Sequence, residues 1–146
     1  MTDLRAYVDY LESQPSVAAG GVGVTGFCFG GGYTWQLAVA NPDVKAAVPF
    51  YGAVPFYGAV PYYGSAPIDE LPQTQAAALV IYGANDARIT GQRPQVEEQL
   101  KSAGKTFEIK VYEGAGHAFF NETKQSYNAA AATDAWQAGF RRYLGG

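Results

Sequence analysis

The chain's only cysteine, Cys28, lies in a sequence that is typical of an enzyme nucleophile. Residues 21–25 predict a short buried strand and residues 32–41 predict a helix, with Gly26 and Gly30 on either side of the cysteine. A strand that turns sharply into a helix through glycine, nucleophile and glycine is a nucleophile elbow, because neighbouring backbone comes too close for a Cβ. Such a turn holds the thiol at the helix N-terminus, where free N–H groups and the helix dipole favour a thiolate.

An acid and the chain's only histidine follow two later predicted strands. Asp86 lies in the loop after residues 76–82, and His117 lies in the loop after residues 106–112. In parallel α/β sheets, functional residues collect beyond the carboxyl ends of the strands. His117 would take up and return protons, Asp86 would hold its imidazole in one tautomer, and Cys28 would form an acyl-enzyme.

Each of these residues has a simpler interpretation when it is taken alone. A single cysteine is most often a buried core residue, a loop acid often begins a turn, and a loop histidine is often only solvated. The order Cys28, Asp86, His117 on successive strand ends is that of nucleophile, acid and base in one large group of hydrolases. We therefore interpret the three residues as a candidate catalytic triad.

The strands that must position this triad are predicted by short apolar, β-rich runs. They cover residues 21–27, 44–51, 76–82 and 106–112. Helical patterns alternate with these strands along the chain. The sequence therefore predicts the α/β fold class, with a mostly parallel sheet of about four strands flanked by helices.

The predicted helices begin near the N-terminus. Apolar residues at helical spacing predict an amphipathic helix over residues 3–13, with Thr2 as its cap. After the helix over residues 32–41, Pro94 opens a third helix that Gly104 closes, and a last helix is predicted over about residues 124–144. Its apolar stripe consists of Ala132, Ala135, Trp136, Gly139, Phe140 and Tyr143.

The composition bounds the class of protein. A length of 146 residues suits one hydrophobic core and predicts a single domain over residues 1–146. The formal net charge is −3 and there is no basic run, so nucleic acid is not an expected partner. One cysteine cannot form an internal disulfide, and no apolar run approaches the ~20 residues that span a bilayer. We expect a cytoplasmic protein that does not bind membranes.

The motifs around the three residues resemble those of the dienelactone hydrolase family of α/β-hydrolases. The matching segments are residues 26–31, 82–89 and 112–119, and the similarity runs from about residue 4 to residue 144. The resemblance implies cysteine-dependent hydrolysis of small esters or lactones, without a metal or cofactor. It also implies that the backbone N–H of Phe29 is one donor of the oxyanion hole.

The chain also departs from that family. The resemblance covers the C-terminal portion of a usual member. It leaves no counterpart for several N-terminal strands, a second oxyanion donor, a glutamate that pairs with the thiol, and one substrate-binding arginine. A second such arginine lies four positions after the histidine in the family, where this chain has Asn121. These departures favour a broader esterase activity over true dienelactone turnover.

The substrate pocket is expected near the strand ends. Tyr51, Tyr63, Phe119 and Asn121 are the candidates to line it, although packing in the core explains the aromatic side chains about as well.

A hexapeptide repeat occupies residues 48–65. Its copies are VPFYGA at 48–53 and at 54–59, and VPYYGS at 60–65, and two of the three are interpreted as an insertion by duplication. The repeat would form either a longer tolerated loop or short strand pieces separated by turns. The proline in each copy argues against a long central strand, and exposed aromatics here would form an apolar patch.

The missing N-terminal strands would leave the elbow strand at an open sheet edge with unpaired N–H and C=O groups. We therefore expect a homodimer or higher homo-oligomer, with a small ester or lactone as substrate. Besides the favoured cysteine hydrolase, two other functions stay open. One is a catalytically weak or inactive oligomerising remnant. The other is a thiol-reactive or redox role for Cys28, which the absence of a second cysteine disfavours.

Overall fold

The structure is a computed structural model that describes residues 1–52 and 68–139. Its centre is a four-stranded sheet in the order β1-β2-β3-β4, in which every neighbouring pair is parallel. The strands are β1 (Val22–Phe27), β2 (Val44–Phe50), β3 (Ala77–Gly83) and β4 (Phe107–Tyr112). The predicted α/β fold with a parallel sheet of four strands is confirmed, and all four carboxyl ends meet at one edge.

Helices cover the sheet. They are α1 (Thr2–Glu12), α2 (Phe29–Ala40), α3 (Ala87–Thr90), α4 (Arg93–Ser102) and α5 (Ala129–Trp136), and a 3-10 helix covers Ile68–Gln73. The prediction that Thr2 caps α1 is wrong, because Met1 occupies the N-cap position and Thr2 is already helical. No helix within residues 1–52 and 68–139 combines the length and apolar character needed to cross a membrane.

The helix α5 begins five residues later than predicted. The side chain of Asn128 accepts a hydrogen bond from the Ala131 N–H at 3.1 Å and so caps the helix at that point. Trp136, which we placed in the apolar stripe, is 46% exposed, because Ala131 and Ala135 form the face of this helix that packs against the sheet. The predicted continuation after residue 139 lies outside the described residues.

The two faces of β3 belong to different parts of the core. Leu79 and Ile81 pack with the alanine face of α5, whereas Val80 and Tyr82 pack with Trp35 of α2 and with α4. Such burial on both faces is why a central parallel strand is a continuous apolar run in the sequence. It also fixes the end of β3, and with it the loop that carries Asp86.

The strand β1 lies at the edge of the sheet. Within the described strands it pairs with β2 alone, and none of its six residues is buried. The strand predicted at residues 21–25 is therefore present, but the prediction that it is buried is wrong. Its position at the edge leaves one side of the strand without a packed neighbour.

The first three residues of the hexapeptide repeat, residues 48–50, form the end of the inner strand β2. Pro49 is buried there, inside the strand predicted over residues 44–51, and the strand ends one residue later at Phe50. Pro49 is in register with Gly26 of β1, whereas the ladder between β2 and β3 has partners at Ala47 and Phe50 and, within these described strands, none at Pro49, as expected for a residue that has no N–H to donate. Residues 53–65, with the two other copies, lie outside the described residues.

Candidate active site

Cys28 occupies the turn between β1 and α2 with the backbone geometry of a nucleophile elbow. Its φ is +54° and its ψ is −116°, in the left-handed half of conformational space that is strained for a residue with a Cβ. Its N–H donates to the Phe50 carbonyl at 3.0 Å, and its own carbonyl accepts from the Gly31 N–H at 3.0 Å. The helix α2 begins at Phe29, three residues earlier than predicted, so the exposed thiol lies directly at a helix N-terminus.

Only one of the two flanking glycines is required by a close approach. A Cβ on Gly26 would lie 2.3 Å from the Gly30 carbonyl oxygen and 2.7 Å from Thr34 Oγ1. A Cβ on Gly30 would meet no atom within 4 Å. The prediction that both positions exclude a Cβ is therefore correct for Gly26 and wrong for Gly30, since it is the backbone of residue 30 that crowds residue 26.

The structure brings the three predicted side chains together. His117 Nε2 lies 2.9 Å from Cys28 Sγ, and His117 Nδ1 lies 2.5 Å from Asp86 Oδ2. The Asp86 side chain is 7% exposed and that of His117 is 33% exposed, so the carboxylate is buried while the imidazole reaches the surface. The loops can meet because Gly83 at the end of β3 has no side chain: a Cβ there would be 2.7 Å from the Ala115 carbonyl oxygen.

This arrangement permits a defined proton path. An ionised carboxylate can only accept hydrogen bonds, so Nδ1 of His117 is the donor to Asp86. Nε2 is then left to accept the thiol proton of Cys28 or, after transfer, to hold it as an imidazolium. Within the described residues, no group of three or more His, Cys, Asp or Glu side chains is arranged to hold a metal ion.

A cleft of about 350 Å³ opens beside the cysteine. It is lined by Phe27, Cys28, Tyr51, Ala118, Phe120 and Asn121. Of the four predicted pocket residues, Tyr51 and Asn121 line the cleft, and Tyr63 lies outside the described residues.

The prediction for Phe119 is wrong. Its side chain is fully buried in the core, with its ring 5.4 Å from that of Tyr112. Ala118, with a φ of +62°, turns the chain so that Phe119 points inward and Phe120 lines the cleft. Sequence reasoning also missed Phe27, although its position at the end of the elbow strand, next to the nucleophile, was a usable signal.

Tyr51 forms the buried wall of the cleft. It is 3% exposed, has an unusual φ of +37°, and its ring lies 5.2 Å from the imidazole of His117. Burial raises the pKa of Tyr51 to about 12, and charge at Cys28 adds a smaller increase. A hydrogen bond to the Phe120 backbone acts in the opposite direction and lowers this pKa, but by less. The phenol is therefore neutral at physiological pH.

The sequence matches the dienelactone hydrolase family over residues 1–142. A protein of Methylorubrum extorquens named "Putative carboxymethylenebutenolidase" is 36% identical over 98% of this chain and 50% of its own length. A protein of the same name from Escherichia coli strain K12 is 37% identical over 93% of this chain and 51% of its own length. The chain thus spans about half the length of these curated relatives.

A solved structure gives the same result. The crystal structure of a Klebsiella pneumoniae protein named "Putative Dienelactone Hydrolase" superimposes on this chain with a TM-score of 0.83. The two sequences are 34% identical, and the match covers 97% of this chain and 60% of that one. The four parallel strands and their helices are therefore a shared α/β-hydrolase framework. The family match over nearly the whole sequence and this likeness in structure show that the chain belongs to the dienelactone hydrolase family.

Proposed function

We propose that this chain is a cysteine-dependent hydrolase of small carboxylic esters or lactones. The observation that carries the proposal is the contact of His117 with both Cys28 Sγ, at 2.9 Å, and Asp86 Oδ2, at 2.5 Å. A nucleophile, a base and a group that orients the base, each within hydrogen-bond reach of the next, are what acyl transfer through a covalent intermediate needs. The names of the relatives support the same class of reaction.

The first half of the proposed reaction acylates the cysteine. His117 Nε2 takes the thiol proton, and Cys28 Sγ attacks the carbonyl carbon of the ester. The tetrahedral intermediate collapses to a thioester as the C–O bond to the alcohol breaks. His117 gives its proton to that leaving oxygen, while Asp86 stabilises the imidazolium throughout. For a lactone, the alcohol remains attached to the acyl group.

The second half regenerates the enzyme. Water attacks the thioester carbonyl after giving a proton to His117, the C–S bond breaks, and the proton returns to Cys28 Sγ as the acid leaves. Phe29 is the first residue of α2, so its N–H is one of the orphan donors at the helix end. We assign this N–H to the developing oxyanion, a role worth about 3–4 kcal/mol when one such donor is removed.

Hydrolysis of a short-chain p-nitrophenyl ester tests the proposal. We expect release of p-nitrophenol by the wild type, release at background rate by Cys28→Ala, and a loss of at least about 100-fold for His117→Ala. Phe29→Ala is the matched control, because its side chain is 71% exposed while the proposal uses only its backbone N–H, which alanine retains. Its kcat/KM should stay close to that of the wild type.

The same assay separates the two other functions. Turnover by the folded wild type no faster than by Cys28→Ala would contradict the hydrolase and favour the oligomerising remnant. Rapid alkylation or peroxide oxidation of Cys28 with no acyl turnover would favour the thiol-reactive role. Circular dichroism of each variant shows that a loss of activity does not reflect unfolding.

A further inference from the structure

We propose that the cleft beside Cys28 selects a small, uncharged acyl group and discriminates against acyl groups that carry a carboxylate. The preferred acyl group has an aromatic or otherwise apolar body and one hydrogen-bond acceptor at its far end. This inference rests on the proposed function, since it names the substrate class of the same site. Its evidence is the charge, the aromatic geometry and the amide orientation of the residues that line the cleft.

The triad gives the site a net charge of −1 wherever its proton resides. When the thiol and the imidazole are neutral, the charge of the triad is that of the Asp86 carboxylate. When the proton has moved, the charges of the thiolate and the imidazolium cancel, and the charge of Asp86 again remains. The other described lining residues carry no charge near neutral pH, because they are Phe27, Tyr51, Ala118, Phe120 and Asn121. A carboxylate entering this cleft therefore meets a like charge and no described lysine or arginine.

The apolar wall is built from rings that contact each other. The ring centroids of Phe27 and Phe120 are 5.1 Å apart, and those of Phe27 and Tyr51 are 6.2 Å apart, within the range of favourable aromatic pairs. Phe27 is 36% exposed, so part of its ring is available to a ligand. A volume of about 350 Å³ lies at the small end of ligand sites. An aromatic acyl group of one ring suits these dimensions.

Asn121 supplies the polar contact at the rim. Its Oδ1 accepts hydrogen bonds from the Thr123 N–H at 3.0 Å and from Thr123 Oγ1 at 2.8 Å. A backbone N–H can only donate, so it fixes which end of the amide is oxygen and which is nitrogen. The NH₂ group is left as a donor, and it fits an acceptor such as an amide or ketone oxygen of the substrate.

A pair of isosteric esters tests the selectivity. The p-nitrophenyl esters of 4-carbamoylphenylacetic acid and 4-carboxyphenylacetic acid have the same shape, and only the second acyl group is charged. We expect kcat/KM for the carbamoyl ester to exceed that for the carboxylate ester by at least about tenfold at low ionic strength. We expect added salt to reduce this ratio, because salt screens the repulsion between the substrate and the site.

Two lysine variants locate the effect. Asn121→Lys places a cation at the rim of the cleft and should lower the ratio toward about one. Gln125→Lys adds the same charge at an exposed position outside the lining and should lower the ratio clearly less than Asn121→Lys does. The wild-type ratio and its salt dependence do not require either variant to fold.

The outcomes distinguish the inference from the function on which it rests. Turnover that depends on Cys28 but favours the carboxylate ester, or treats both esters alike, would overturn the inference and leave the hydrolase in place. Turnover of both esters at the rate of Cys28→Ala would overturn the hydrolase and the inference together. A ratio of tenfold or more that Gln125→Lys lowers as much as Asn121→Lys would overturn the assignment of selectivity to the cleft.

Discussion

Replacing Gly26 by alanine should damage catalysis without removing any group that takes part in it. The added Cβ would lie 2.3 Å from the Gly30 carbonyl oxygen, 2.5 Å from the Gly30 carbonyl carbon and 2.7 Å from Thr34 Oγ1. Carbon atoms and oxygen atoms pack at about 3.4 Å or more, so β1 and the first turn of α2 must separate by about 1 Å. Cys28 is the residue between them, and its Sγ now lies 2.9 Å from His117 Nε2.

The size of the effect follows from that displacement. A misplacement of about 1 Å at a reacting group costs on the order of 100-fold in rate, and overpacking of this kind destabilises a protein by about 1–3 kcal/mol. Gly30→Ala is the matched control, because its Cβ meets no atom within 4 Å and the residue lies in α2. Replacing a helical glycine by alanine stabilises by about 0.5–1 kcal/mol, so the two variants should differ in the sign of their effect on stability.

The measurements are kcat/KM for a short-chain p-nitrophenyl ester and the free energy of unfolding in urea. We expect Gly26→Ala to lose about 100-fold in kcat/KM and Gly30→Ala to keep near wild-type kcat/KM with unchanged or higher stability. Equal losses in the two variants, or full activity in folded Gly26→Ala, would refute the reasoning from the elbow geometry.

Three further predictions concern the triad, the cleft and the open edge. Asp86→Asn keeps the shape of the side chain but not the charge that holds the imidazolium, so kcat should fall by about 10³–10⁴-fold in a protein with an unchanged circular dichroism spectrum. The unfolded state loses the Tyr51 proton near pH 10 and the folded state near pH 12. The contribution of Tyr51 to the free energy of unfolding is therefore fully present below pH 10 and decreases as the pH rises above it. Between these two pH values Tyr51 contributes at most about 1.4 kcal/mol per pH unit to that decrease, and urea titrations between pH 9 and 12 should show a smaller decrease in Tyr51→Phe. We propose a homo-oligomer that covers the edge of β1 or the exposed rings of Tyr7 and Tyr10, and light scattering that finds only a monomer at micromolar concentration would contradict it.

The sheet and the triad were accessible to sequence reasoning because each leaves a local pattern. Apolar runs give β2 and β3, which are largely buried on both faces, whereas β4 alternates apolar residues with Glu108 and Lys110. Chain order and strand ends give the association of Cys28, Asp86 and His117, because parallel strands bring their carboxyl ends to one edge.

The remaining features depend on three-dimensional contacts that leave no such pattern. Phe119 and Phe120 are identical in type, and only the left-handed turn at Ala118 decides which enters the core and which lines the cleft. Gly26 and Gly30 are likewise identical in the sequence motif, yet only a Cβ at Gly26 meets backbone. In each pair, residue type and spacing are equal, so the difference lies in the backbone path alone.

The most direct test of the central claim is the mass of the protein during turnover. Rapid mixing with a short-chain p-nitrophenyl ester, an acid quench and mass spectrometry should reveal a transient adduct of one acyl group on the peptide that contains Cys28. We predict this adduct in the wild type and not in Cys28→Ala. Turnover that proceeds at the wild-type rate in Cys28→Ala, or an acyl group found on a different residue, would contradict the assignment of Cys28 as the nucleophile.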